Sequence, residues 1–195
     1  MRLLHVLLLF TFLAVISGIL LDNGGRSHGF GSSSDSESSE DHGGRPSKPV
    51  TTSKPREDWI TFNGPFTTTL PIPGGYWDTG KIIRIHGVPG TGRWTINLVQ
   101  AGVRLFHLSS EPSKGLVVRN RFLNGAWQVE EKWGGNPFPV STPFNVTLIN
   151  QPSHIEIHVN GVFFVNFNHR TPNPSRDYQG LDFQFVNISK VEFSR

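Results

Sequence analysis

With 195 residues the chain has room for one domain and a tail, and it contains no cysteine, which excludes disulfides, a thiolate nucleophile and cysteine metal ligands. A formal charge of +3, spread without any run of Lys or Arg, leaves no electrostatic footprint for nucleic acid. The hydrophobic share of 36% is low for a chain folded throughout, and the stretch 22–57 accounts for much of the deficit.

Met1 and Arg2 precede a nearly continuous apolar run, LLHVLLLFTFLAVISGILL. Small residues at Ser17 and Gly18 fit a signal-peptidase site, so residues 1–18 read as a signal peptide. The rival is an uncleaved signal-anchor, because Leu3 to Leu21 just reaches the length of a bilayer span. Arg2 would then keep the N-terminus cytoplasmic, and either way the remainder is expected outside the cell, secreted or anchored. Residues 19–57 read as a linker. LDNGGRSHGFGSSSDSESSEDHGG cannot bury enough apolar surface to offset chain entropy, and RPSKPVTTSKPRED is an extended Pro-rich spacer.

From residue 58 the pattern becomes one of strands. PFTTTLPIP reads as a strand ending at a proline corner, and PGGY as a turn. KIIRIHGVP and RWTINLVQ follow, the latter with Trp94, Ile96 and Leu98 on one face and Thr95 and Asn97 on the other. Then come VRLFHLSS, GLVVRNRFL, WQVEEKW, FNVTLINQ, HIEIHV-NG-VFFVNFN and LDFQFVNISKVEF. Asn160-Gly161 is a hairpin signal, since both central residues of a type I′ turn need positive φ. Short strands with tight turns and no helical period predict an all-β antiparallel β-sandwich over residues 58–195.

Asn120-x6-Trp127-x2-Glu130-x-Lys132, with WTINLV before it and HVNGVFFVNFNHR after it, resembles the galectin family, the galactoside-binding lectins. The likeness runs from Phe66 to Arg195 and implies a jelly-roll sandwich of concanavalin-like, galectin type. It also implies glycans on glycoproteins or glycolipids as partners, no cofactor and no catalysis. Where the family carries His-x-Asn-x-Arg on its reading strand, this chain has His107, Ser109 and Glu111, three side chains that alternation puts on one face. The implied carbohydrate site is therefore His107, Ser109, Glu111, Asn120, Trp127, Glu130 and Lys132.

The chemistry of these residue types fits a sugar. Trp127 offers an apolar platform, Asn120 both donates and accepts, Glu130 accepts from hydroxyls, and His107 donates to a sugar oxygen once its other nitrogen is fixed. The departures from the family are chemical. Glu111 accepts only, Ser109 is short, and Lys132 lacks the planar fork of arginine. Each charged hydrogen bond so removed is worth roughly 1.5–3 kcal/mol, so the retained frame implies a sugar groove without fixing galactose as its sugar. Glu111 beside Glu130 also leaves one carboxylate in want of a cation.

Three functional readings follow. The first is a non-catalytic galectin-type lectin for β-galactosides or related glycans. The second is an extracellular galectin-fold protein-interaction module that has lost galactoside binding. The third, a glycoside hydrolase, needs two carboxylates flanking one bond; Glu130 and Glu131 point to opposite faces, leaving only Glu111 with Glu130. His154, Glu156 and His158 share a strand face and carry metal-ligating groups, but solvated strand neighbours give the same pattern, no fourth ligand is evident and no metal site is assigned. Glycosylation acceptors occur at Asn145-Val-Thr and Asn187-Ile-Ser. One domain carries one site, so cross-linking would require a homodimer.

Overall fold

Alternation of apolar and polar side chains sorts the strands into two layers. The computed structural model describes residues 58–195, so the expected leader, residues 1–18, and linker, residues 19–57, lie outside the described residues. Thirteen strands follow in chain order: β1 (Trp59–Asn63), β2 (Leu70–Pro71), β3 (Ile82–Pro89), β4 (Trp94–Gln100), β5 (Val103–Glu111), β6 (Leu116–Asn120), β7 (Phe122–Leu123), β8 (Ala126–Trp127), β9 (Phe144–Asn150), β10 (His154–Val159), β11 (Val162–Asn168), β12 (Gly180–Gln184) and β13 (Val186–Ser194). They form an antiparallel sandwich. One sheet has the order β1-β13-β3-β9-β10-β11 and the other β2-β12-β4-β5-β6, with β7 and β8 as a separate hairpin.

The core lies between the two sheets. Ile83 and Ile85 of β3, Val146 and Leu148 of β9 and Ile155 and Ile157 of β10 face Ile96 and Leu98 of β4, Phe106 and Leu108 of β5 and Leu181 of β12. Trp94 ties the layers together. Its ring stacks on Phe144 of β9 at 5.2 Å and receives the edge of Phe138 at 4.9 Å, a geometry that suits aromatic quadrupoles. The Asn160-Gly161 hairpin has φ of 52° and 80°, as a type I′ turn needs, and Asn124-Gly125 between β7 and β8 repeats it with 53° and 79°.

Three segments differ from their reading in the sequence. WQVEEKW is not a strand: only Ala126–Trp127 pairs as β8, and the stretch beyond joins β6 through the single Arg119–Glu131 bridge. Residues 124–130 are all exposed, so no buried face enforces pleating. LDFQFVNISKVEF is two strands in different sheets, and the chain changes layer at Phe185, whose φ is 59°. PFTTTLPIP contributes only Leu70–Pro71 as strand, and β1, which pairs with β13, is an additional edge.

At Gly87, where β3 meets β13, a Cβ would lie 2.7 Å from the Asn187 carbonyl oxygen and 2.8 Å from Ile188 Cδ1. Gly87→Ala therefore forces the two strands apart and is expected to cost about 1–3 kcal/mol in urea denaturation. Gly90→Ala, with open space around its Cβ, serves as the comparison; equal stability of the two variants would refute the close approach.

Candidate carbohydrate-binding groove

Register places four polar residues on one rung of the five-stranded sheet. Asp182 of β12 lies opposite Asn97 of β4, Asn97 opposite His107 of β5, and His107 opposite Asn120 of β6. The next rung carries Gln184, Thr95, Ser109 and Val118. All face away from the core, yet Asn97, His107, Ser109 and Asn120 are buried beneath the side chains that roof them.

Hydrogen bonds fix the proton on His107. Asn97 Nδ2 donates to Thr95 Oγ1 at 3.1 Å and to Asp182 Oδ2 at 3.1 Å, which commits Asn97 Oδ1 to accepting. That oxygen takes a 2.6 Å bond from His107 Nδ1, so Nδ1 holds the proton and Nε2 presents a lone pair to the groove. This corrects the expectation that His107 donates to sugar. The fixed nitrogen is the protonated one, and the ring offers an acceptor. Burial, helped by Arg93 and Arg104, lowers the His107 pKa from its ordinary 6.5 to about 4.

The cation of the groove comes from an unexpected place. Arg93, just before β4, donates from Nε to Ser109 Oγ at 2.7 Å, lies 3.8 Å from Glu111, and brings Nη2 to 3.5 Å from His107 Nε2. The shortness of Ser109 gives the guanidinium this room. Glu111 ends β5 and is held by Lys114 at 2.6 Å, whose hydrogen bond lowers its pKa. Lys132 pairs with Glu130 at 2.5 Å, and that bond raises the Lys132 pKa. The two carboxylates thus have separate ammonium partners, and Lys114 is the cation that the sequence left unassigned.

Asn120 is more committed than its chemistry suggested. Its Nδ2 donates to the Gln128 carbonyl at 2.9 Å, while its Oδ1 accepts from the Arg121 amide at 2.7 Å and from Arg170 Nη1 at 3.4 Å. One amide hydrogen remains for a ligand. Trp127, at the end of the β7–β8 hairpin, is 45% exposed. Phe122 supports it edge-on at 5.2 Å, and its ring centroid sits 4.5 Å from that of His107. His107, Asn120, Trp127 and Glu130 meet around a hollow of about 160 Å³ together with Arg93 and Val118. Ser109 and Glu111 lie further along β5 under Arg93, and Lys132 stands outside, tied to Glu130.

The irregular stretch after Trp127 is held by Arg170. Its Nη1 donates to the Val129 carbonyl and its Nη2 to Glu131 Oε1, both at 2.6 Å, and its guanidinium rests on the Phe167 ring at 4.9 Å. Arg93, Asn97, Arg104, Arg170 and Asp182 all shape this groove without having been singled out. Only the shared face of Thr95 and Asn97 hinted at their region.

Elsewhere, a roomier hollow of about 370 Å³ is lined by Ile60, Ile72, Tyr76, Trp77 and Phe193 and is mainly apolar. On the outer face of β10, His158 Nε2 lies 2.6 Å from Glu156 Oε1, and Gln151 donates to Glu156 Oε2 at 3.0 Å. His154 engages Ser153 instead, and among the described residues no three such groups gather as a metal site.

A family model described as galactoside-binding lectin matches residues 65–193. Galectin-4 of Sus scrofa is 29% identical over 126 residues, which is 63% of this chain and 38% of that protein. Galectin-3 of Canis lupus familiaris is 29% identical over 117 residues, 56% of this chain and 39% of its own length. The chain thus spans under two fifths of either relative. The crystal structure of Caenorhabditis elegans galectin LEC-6 is 27% identical, with a TM-score of 0.62 and coverage of 69% of this chain and 96% of that one.

The His107 pKa makes stability depend on pH. Below 6.5 the unfolded chain takes up a proton that the folded chain refuses until about 4, so this contribution is complete above 6.5 and is lost as pH falls towards 4. The expected loss is at most about 3 kcal/mol. His107→Gln, which keeps an N–H for Asn97, should flatten the stability profile across that window in urea titrations; an unchanged slope would refute the assignment.

Proposed function

Because the chain belongs to the galactoside-binding lectin family, we propose that its groove binds β-galactosides or related glycans. The protein is a galectin-type lectin, and its fold is that of a carbohydrate-binding module rather than an enzyme. The observation that carries the glycan reading is the meeting of Trp127, His107, Asn120 and Glu130 around one hollow. The half-exposed Trp127 offers an apolar platform for a pyranose ring. His107 Nε2 and Glu130 accept from hydroxyls, while Arg93 and the spare Asn120 hydrogen donate to them. Arg93 supplies a guanidinium to a groove whose β5 position is the acceptor Glu111. The Lys114 hydrogen bond lowers the Glu111 pKa, which does not suit that residue to act as the catalytic acid of a hydrolase.

A second reading, an interaction module without galactoside binding, draws on one contact. Trp127 lies directly against His107, with no room for a sugar between the rings. The two readings separate on a glycan array probed with the full chain. Binding to galactose-terminated glycans, competed by lactose and weakened about ten-fold or more in Trp127→Ala, is expected of a lectin. A blank array, or a profile indifferent to the substitution, favours the interaction module.

We further propose that the domain is displayed outside the cell. The apolar N-terminal run and two acceptor sequons support this; Asn187 is exposed on β13, and Asn145 is half-buried on the outer face of β9. Expressed in a secreting animal cell, the full chain should reach the medium or the cell surface, with a glycan on Asn187 that Asn187→Gln removes. Intracellular retention without glycan would count against it.

A further inference from the structure

The apolar hollow of about 370 Å³ owes its existence to unequal sheet edges. β1 extends the six-stranded sheet past β13, and Ile60 lies opposite Phe193, so both side chains turn inward. The neighbouring edge of the five-stranded sheet is β2, which is only two residues long and cannot cover them. The segment 72–82 crosses the gap instead. Buried Ile72, Trp77 and Phe193 and half-buried Ile60, Tyr76 and Ile82 are left lining an open space.

Hydrogen bonds hold these walls in place. The Ile72 and Trp77 amides donate to the Gln179 and Tyr178 carbonyls, both at 2.9 Å. Asn150 Nδ2 donates to the Trp77 carbonyl at 2.7 Å, and the Ile82 amide donates to Ser194 Oγ at 2.8 Å. The hollow is thus formed before any ligand arrives, so binding has no opening step to offset. Its volume falls within the range of about 300–1,000 Å³ typical of small-molecule sites, which are likewise mainly apolar with a few polar groups.

The rim has a sign. Lys81 and Arg195 line the hollow, and the Arg176 guanidinium lies 3.8 Å from the centre of the Tyr76 ring. None of these three cations makes an ion pair among the described residues. Asp78 is the one carboxylate side chain in the lining, and its Oδ1 accepts from the Thr79 amide at 3.0 Å. Asp58 takes the Arg195 amide on its carbonyl but does not line the hollow. Apolar walls beneath an excess of cations complement a ligand that is apolar along its body and anionic at one end.

We propose that this hollow is a second ligand site, for the free monomer of a fatty carboxylate. The chain of the ligand lies against Ile60, Ile72, Trp77 and Phe193, and its carboxylate meets Lys81 and Arg195. The site shares no lining residue with the hollow at Trp127, so its occupancy is independent of sugar binding.

The test is calorimetry of the full chain with decanoate, decanol and decylammonium, each kept below its micelle concentration. Decanoate should bind about ten-fold tighter than decanol, with an advantage that shrinks in high salt, and decylammonium should bind more weakly than either. Lys81→Gln should narrow the gap between decanoate and decanol while leaving decanol affinity unchanged. Ile60→Trp, which fills the hollow with a larger ring, should abolish binding of both while the circular dichroism of the folded chain is retained; if that variant does not fold, Lys81→Gln decides. Equal binding of the three amphiphiles, binding of none, or undiminished binding in folded Ile60→Trp would overturn the site. Displacement of decanoate by lactose would place it in the sugar groove and overturn the site as well. So would a sedimenting dimer that Ile60→Trp dissociates and decanoate does not, because the hollow would then belong to a second copy of the chain.

Discussion

The hydrogen-bond chain from Asp182 through Asn97 to His107 is the constraint on which the groove depends. It joins β12, β4 and β5 on their polar face, with Asn97 fully buried and His107 nearly so. Breaking any link strands a buried polar group, at roughly 1–3 kcal/mol, so the chain is an all-or-none arrangement. Its direction matters as much as its strength. The Asp182 carboxylate can only accept, which orients the Asn97 amide, which in turn puts the His107 proton on Nδ1. The acceptor that faces the groove is thus set by a carboxylate two strands away, and burial keeps that imidazole neutral.

The other side of the groove is held differently. No run of strand pairing supports Gln128 to Lys132; there the backbone bonds between Arg119 and Glu131, at 2.9 Å each, are reinforced by Arg170. Arg170 follows β11 in the six-stranded sheet and rests on Phe167, a core residue, so the rim that carries Glu130 and Lys132 is anchored in the opposite layer. Such side-chain clamping lets a rim hold its place without being pleated. It also spends Asn120: that amide grips the Gln128 carbonyl, and its oxygen serves Arg121 and Arg170.

Alternation made much of the sandwich legible. Ile83 and Ile85 against Arg84 and His86, or Ile155 and Ile157 against Glu156 and His158, announce strands with one buried face, and Asn160-Gly161 announces its turn. The family frame likewise led to Trp127 and Glu130, which share a hollow with His107 and Asn120. What escaped the sequence has physical reasons. WQVEEKW alternates in composition but has no core to face. Phe185 sits inside a continuous strand-like pattern, and only a dihedral reveals that the chain changes layer there. Arg93 and Arg104 are 11 residues apart and converge because a turn and a bulge fold β4 onto β5. Lys114 was invisible for a simpler reason: the 3₁₀ turn after Glu111 folds it back onto that carboxylate.

The reading strand illustrates how a groove can keep its charges while changing their origin. A guanidinium projecting from β5 itself would point along the alternation of that strand; here the β5 position is Glu111, and the guanidinium arrives from the start of β4. Ser109 makes the exchange possible, because a longer side chain there would occupy the space through which Arg93 reaches its hydroxyl. With Arg93 entering from the β4 side, its donors lie beside those of Arg104 rather than beyond Glu111. Positive charge thus gathers at the Arg93–Arg104 end of the groove, while Glu111 at the end of β5 is an acceptor paired with Lys114. A position that reads in the sequence as a lost sugar contact is, in space, the opening through which Arg93 reaches Ser109.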